Sequence, residues 1–253
     1  MWNIAKNTFK EIVRNRFLYL ILFFACVFIL FSLALGKLTI GESEKVIVDF
    51  GLGMIEIFGL IWVLFVGSQL LFKEVEGKTI FLILSKPIKR QDFILGKFLG
   101  FSGTIALIVL FQAVLYFGVL LFQGIDISTL MLWAVVFTFL KLEVLLAIVF
   151  FFSTFMSNIM TITVSLMVYL ISHSFSLILD LFVRMWDAVL FKAIQMFQLI
   201  FPPLQALNIK DHIGSFSLFS AEFFLYNFIY ALLYITVLLF FTVQIFSRKT
   251  FED

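Results

Sequence analysis

Charge is scarce in this sequence. Only 13% of its 253 residues are Asp, Glu, Lys or Arg, against 63% that are hydrophobic, and the mean hydropathy is +1.15. Soluble domains carry about 25% charged residues and about 45–50% apolar ones. A folded chain of this length still leaves roughly a quarter of its unfolded surface in water, which cannot hide so much apolar area. A soluble enzyme, a nucleic-acid-binding domain and a disordered chain are therefore excluded, and a bilayer is the solvent for most of the chain. Cysteine is nearly absent as well. Cys26 stands alone inside an apolar run, so neither an intrachain disulfide nor a Cys-based metal site is available. No H-E-x-x-H and no clustered-Asp motif occurs, which removes the usual signatures of membrane metalloproteases and phosphoalcohol transferases. No internal repeat and no long linker marks a second domain.

What the chain has instead is six long apolar runs. They are Phe17 to Leu35, Leu52 to Phe72, Phe98 to Phe122, Leu130 to Phe152, Ile159 to Leu181 and Phe223 to Phe246. A hydrocarbon core about 30 Å thick needs roughly 20 apolar residues per helix, and each run meets that need. The runs are continuous and lack the alternation of a membrane β-barrel. The first has no A-x-A cleavage signature and follows a long amphipathic segment, which marks a retained helix rather than a signal peptide. The expected fold class is all-α, a polytopic membrane protein with six transmembrane helices.

The few basic residues set the orientation. With both termini inside, the cytoplasmic segments hold Lys6, Lys10, Arg14, Arg16, Lys73, Lys78, Lys86, Lys89, Arg90, Lys97, Arg248 and Lys249. The outer segments hold only Lys37, Lys45, Arg184, Lys192 and Lys210. The outer side is acidic in turn, with Glu42, Glu44, Asp49, Asp126, Asp180, Asp187, Asp211 and Glu222. The expected location is the inner (cytoplasmic) membrane, multi-pass, with both termini cytoplasmic.

The connections differ in kind. Gln123 to Thr129 reads as a tight outer turn around Gly124, and Ser153 to Asn158 as a short uncharged inner one. The outer connection 182–222 is too apolar for a solvated loop. Within it Arg184, Asp187, Lys192, Gln195 and Gln198 recur at helical spacing, opposite Met185, Trp186, Val189, Leu190, Ile194, Phe197 and Phe201. That pattern predicts an amphipathic helix at the outer interface, stopped by Pro202-Pro203. Residues 1–16 are amphipathic too. Trp2, Ala5, Phe9, Ile12 and Val13 share one face and Asn3, Lys6, Asn7, Lys10 and Arg14 the other. Such a helix lies on an anionic inner leaflet, as an anchor for the first span or as a lever that moves with it.

The first inner loop is the most charged stretch, running from Lys73 to Asp92 around an apolar core, Ile80 to Leu84, with Pro87 after it. It reads either as a solvated positive-inside loop or as a short helix that docks on another protein. Its string Glu74-x-Glu76-Gly77-x-Thr79, then Leu82-x-Leu84-Ser85-x-Pro87-Ile88-x-Arg90, then Gly96-Lys97 resembles the signature after the second helix in permeases of type-2 ABC exporters. The subgroup it most resembles is the multicopper-enzyme-maturation permeases. The N-terminal helix is similar to that family's elbow helix, the insertion before the last span to its re-entrant outer helices, and Phe246-Ser247-Arg248-Lys249 to its basic ending.

The resemblance implies a 1–16 elbow helix and a 17–253 permease domain, with a coupling region at 73–97 and an outer helical insertion at 182–222. It implies a half-transporter that pairs with a second permease, as a homodimer or a pseudo-symmetric heterodimer, and binds a separate ABC ATPase besides membrane lipids. ATP and Mg would sit on that ATPase, with no cofactor in this chain and no nucleic-acid partner. By position, Glu74, Glu76, Gly77, Thr79, Ser85, Pro87 and Arg90 take the ATPase-coupling role. The alternative is a membrane scaffold or assembly factor that transmits ATPase motion to an outer-face protein.

The chain does not hydrolyse ATP on this reading. Gly77-Lys78-Thr79 has the end of a phosphate-binding loop, but Phe72 stands where the first Gly belongs and no strand leads in. Gly100-Phe101-Ser102-Gly103 with His173 has the residue types of a membrane serine protease, at depths that keep them apart. Two charges remain inside the fourth span. Lys141 is too deep to snorkel and needs a partner, at a cost of at least about 2.5 kcal/mol if it has none. Glu143 points to nearly the opposite face and does not pair with it. Both are candidates for a polar translocation path or dimer seam, and no metal site is expected. Glu56, near the start of the second apolar run, is expected to reach the headgroups, and His173 to make a helix contact.

Overall fold

Lipid offers the backbone no hydrogen-bond partner, so each apolar run must satisfy its own peptide groups as a helix. The computed structural model describes residues 1–14, 16–38, 43–76, 89–184, 201–202, 204–213 and 221–248, and no strand occurs among them. Its helices are α1 (Trp2–Val13), α2 (Arg16–Leu38), α3 (Ser43–Trp62), α4 (Ser68–Glu76), α5 (Arg90–Phe122), α6 (Thr129–Ser153), α7 (Asn158–Arg184) and α8 (Ala221–Arg248). A π-helical turn, Val63–Gly67, joins α3 to α4 without a break. Among the described residues, four stretches are long and apolar enough to cross a membrane: Glu44–Phe72, Arg90–Phe122, Thr129–Ser153 and Glu222–Arg248. Ile21–Ser32 and Asn158–Ser174 are shorter apolar helical stretches.

α6 is the axis of the bundle. Every residue from Leu140 to Phe150 is 5% exposed or less. A helix apolar all round is a core helix. Its neighbours are α3, the π turn, α4, α5, α7 and α8. Small residues let two of these come close. A Cβ on Gly59 of α3 would lie 2.2 Å from a Leu142 methyl, and one on Gly67 would lie 3.3 Å from a Leu146 methyl. Without a hydrophobic drive between helices in lipid, such close packing holds a bundle together. The turn after α5 closes as expected. Gly124 has φ +73°, and Gly124 N–H and Ile125 N–H donate to the Leu121 and Leu120 carbonyls. Ser128 then caps α6, its hydroxyl accepting from Met131 N–H at 3.3 Å.

Two expectations change here. α3 begins at Ser43, well before Leu52, because Glu44, Lys45 and Asp49 occupy its exposed face instead of an outer loop. α1 buries only part of its expected apolar stripe, with Thr8 added to it. Ala5, Thr8 and Ile12 are buried and Trp2 is 74% exposed. The reason lies on α5, where Gly96, Gly100 and Gly103 admit α1 to near backbone contact. A Cβ on Gly100 would sit 2.6 Å from the Ala5 carbonyl oxygen. The expected amphipathic helix in 182–222 falls largely outside the described residues.

Candidate functional site

A carboxylate inside a bundle must be neutralised and hydrogen-bonded by its surroundings. Glu56 is 2% exposed, and four elements converge on it. Lys141, midway along α6, donates to its Oε1 at 2.7 Å. Tyr169 of α7 donates its hydroxyl to the same oxygen. Lys210, from the 3₁₀ turn Ile209–His212, donates to Oε2 at 2.5 Å. Asn208 completes the cluster, its Oδ1 accepting from Lys141 Nζ at 3.1 Å. The stretch carrying Asn208 and Lys210 is held by Leu204, Leu207 and Ile209, each 2% exposed or less. One carboxylate thus ties α3, α6, α7 and the stretch 204–213 together. Glu56 therefore does not reach the headgroups; the early start of α3 puts it well inside the helix.

Glu143 lies on the other side of α6, 4% exposed, with Oε1 unpaired and Ser102 of α5 as the polar side chain beside it. Lys141 and Glu143 are separate, as their spacing required. Both are buried inside a single chain. His173 stacks on Tyr169, ring centroids 6.0 Å apart.

A second cluster joins three helices around the start of α5. Arg90, at the start of α5, donates from Nη1 to the Phe246 carbonyl at 3.2 Å and the Ser247 carbonyl at 3.0 Å. These are among the last carbonyls of α8, which lack intrahelical partners and favour a cation. Phe93, one turn on, stacks against Phe246 at 5.8 Å. Lys97 is 4% exposed rather than solvated, and it donates to the Leu70 carbonyl of α4 at 3.3 Å with its ammonium over the Phe93 ring. With α1 on the glycine face of α5, the helices α1, α4 and α8 all pack on α5 near its start.

Residues 2–251 match the pattern of the ABC-2 family transporter proteins. The chain belongs to that family. It is a multi-pass membrane protein, the permease component of an ABC transporter, a class that works with an ATPase and is generally not catalytic itself. No curated protein matches the chain.

Of the coupling residues expected in this ABC-2 permease, Arg90 is the one whose side-chain contacts are described. Glu74 and Glu76 lie in the last turns of α4, with their side chains outside the described set. Gly77, Thr79, Ser85 and Pro87 fall outside the described residues. Sequence reasoning missed Tyr169, Asn208 and Lys210. A lone Lys141 deep in a span signalled that a partner exists but not which one, because Glu56 and Asn208 come from two distant parts of the chain.

Proposed function

We propose that this ABC-2 permease is an exporter subunit with six transmembrane helices, both termini in the cytoplasm, and a separate ATPase docked on the first inner loop. Residues 1–16 act as the elbow helix, 17–253 as the permease domain, 73–97 as the coupling region and 182–222 as the outer insertion. Two copies pair in the inner membrane among its lipids, and ATP and Mg are held by the ATPase. The multicopper-enzyme-maturation subgroup is the branch its loop motif fits best.

The observation that carries this reading is the Arg90 clamp. A segment pushed from the cytoplasm moves a transporter only if the push reaches several spans together. Residues 77–88 lie between α4 and α5, and Arg90 and Lys97 fasten those two helices to each other and to the end of α8. Closure of an ATPase dimer against this loop would reach the second, third and last apolar runs as one body. Packed helices answer such a push by switching between discrete arrangements.

The test is turnover coupling in vesicles holding permease and ATPase. Arg90→Ala and Gly77→Val are expected to leave the permease in the membrane but uncouple ATP hydrolysis from transport. Full coupling in both variants would defeat the assignment. Hydrolysis that drives no transport in the unaltered protein, yet moves an outer-face protein, would favour the scaffold alternative.

A further inference from the structure

An amphipathic helix packed on a bundle by one side still has a polar side to account for, and on α1 that side is basic. Ala5, Thr8 and Ile12 are buried, while Lys6, Asn7, Lys10, Glu11 and Arg14 are exposed. Along α1 lies an open groove of about 780 Å³, lined by Asn7, Phe9, Lys10, Glu11, Val13 and Arg14. Pockets of about 300–1,000 Å³ hold one small ligand.

The lining divides into two walls by helical spacing. Asn7, Lys10, Glu11 and Arg14 follow one another at steps that place them on one face. Phe9 and Val13, both half-buried, form an apolar edge beside them. Neither Lys10 nor Arg14 is in an ion pair with a described residue. Two cations against one carboxylate leave the groove with a single positive charge, which matches one phosphodiester, and Glu11 would repel a second. Arg14 closely precedes Phe17, where the first apolar run begins, so the groove lies at headgroup level. A water-soluble anion has no use for Phe9 and Val13, and a bare acyl chain has none for Lys10 and Arg14.

We propose that this groove binds one phospholipid with a singly anionic headgroup. Its phosphate rests on Lys10 and Arg14 with the Asn7 amide as a further donor, and its glycerol and upper chain rest on Phe9 and Val13. The proposal rests on the function proposed above only for the leaflet, the cytoplasmic one. The bound lipid has a mechanical reach as well. α1 is seated on the glycines of α5 so closely that a Cβ on Gly96 would lie 2.8 Å from the Ile4 Cβ. α5 in turn holds α4 through Lys97 and the end of α8 through Arg90. A headgroup in the groove therefore steadies the same body of helices that carries the first inner loop.

Native mass spectrometry of the full-length permease, with and without its ATPase, tests this, because it reads lipid binding without transport or docking. Phosphatidylglycerol is expected to bind at least about tenfold more tightly than phosphatidylcholine, and the double variant Lys10→Gln with Arg14→Gln to lose that preference. Lys6→Gln, on the same helix but outside the groove, is expected to keep the preference, and Glu11→Gln to strengthen it. All four side chains are exposed, so these variants are expected to fold. Equal binding of the two lipids by the unaltered protein would overturn the proposal. So would a loss in Lys6→Gln as large as in the double variant, since that is general attraction between a basic helix and an anionic surface. Glycerol phosphate, which lacks the chains, is expected not to displace phosphatidylglycerol. Displacement at equal concentration would make the occupant a free phosphate and contradict a lipid site.

Discussion

A carboxylate taken out of water loses several kcal/mol of hydration unless its neighbours replace it, and removing one partner leaves the other charge stranded. At Glu56 the neighbours are two ammonium groups and a phenol. Glu56→Ala and Lys141→Ala are each expected to cost about 3–5 kcal/mol of stability, read by thermal unfolding in detergent. Lys210→Ala is expected to cost about 1 kcal/mol or less, since a partly exposed ion pair is worth little. Equal losses for Lys141→Ala and Lys210→Ala would mean that burial does not set the ranking. The need for a partner at Lys141 was legible in the sequence. Its identity was not, because Glu56 belongs to a helix whose true start, Ser43, is disguised by exposed charges. Asn208 and Lys210 arrive from a connection whose path no periodicity encodes.

At the level of elements, the glycines of α5 have unequal roles. A side chain at Gly100 would meet the Ala5 carbonyl, so Gly100→Val is expected to lift α1 off α5 at about 1–3 kcal/mol. Faster proteolysis of the N-terminus reports it. Gly118 has nothing within 4 Å of its missing Cβ, so Gly118→Ala is expected to be neutral or to stabilise by up to about 1 kcal/mol through helix propensity. If Gly118→Ala destabilised as much as Gly100→Val, close approach would not be the distinction between them. That a helix occupies residues 2–13 was readable from its amphipathic pattern. Most of the face it buries was readable too, since Ala5 and Ile12 belong to the apolar stripe; that Thr8 is buried and Trp2 exposed was not, because the glycine groove of α5 is a tertiary feature. The helices carrying the six apolar runs were legible for a simpler reason: continuous apolar sequence in lipid has no other way to satisfy its backbone.

Across the whole molecule two separate clusters hold the bundle together. One binds the outer connection to the middle of the bundle through Glu56 and Lys141. The other joins α4, α5 and α8 through Arg90, Lys97 and Phe93. The motif around the first inner loop was visible in the sequence as chemistry, but its linkage to the last helix is a contact between residues 156 apart and had no local signal. On the proposed function an ATPase docks on that loop. A photo-crosslinking side chain in place of Thr79, in membranes holding the permease and its ATPase, tests it most directly, with one in place of Asp126, at the opposite end of α5, as the control. A covalent permease–ATPase adduct is expected from position 79 and none from position 126. An adduct from position 126, or none from position 79 while the two proteins still purify together, would contradict it.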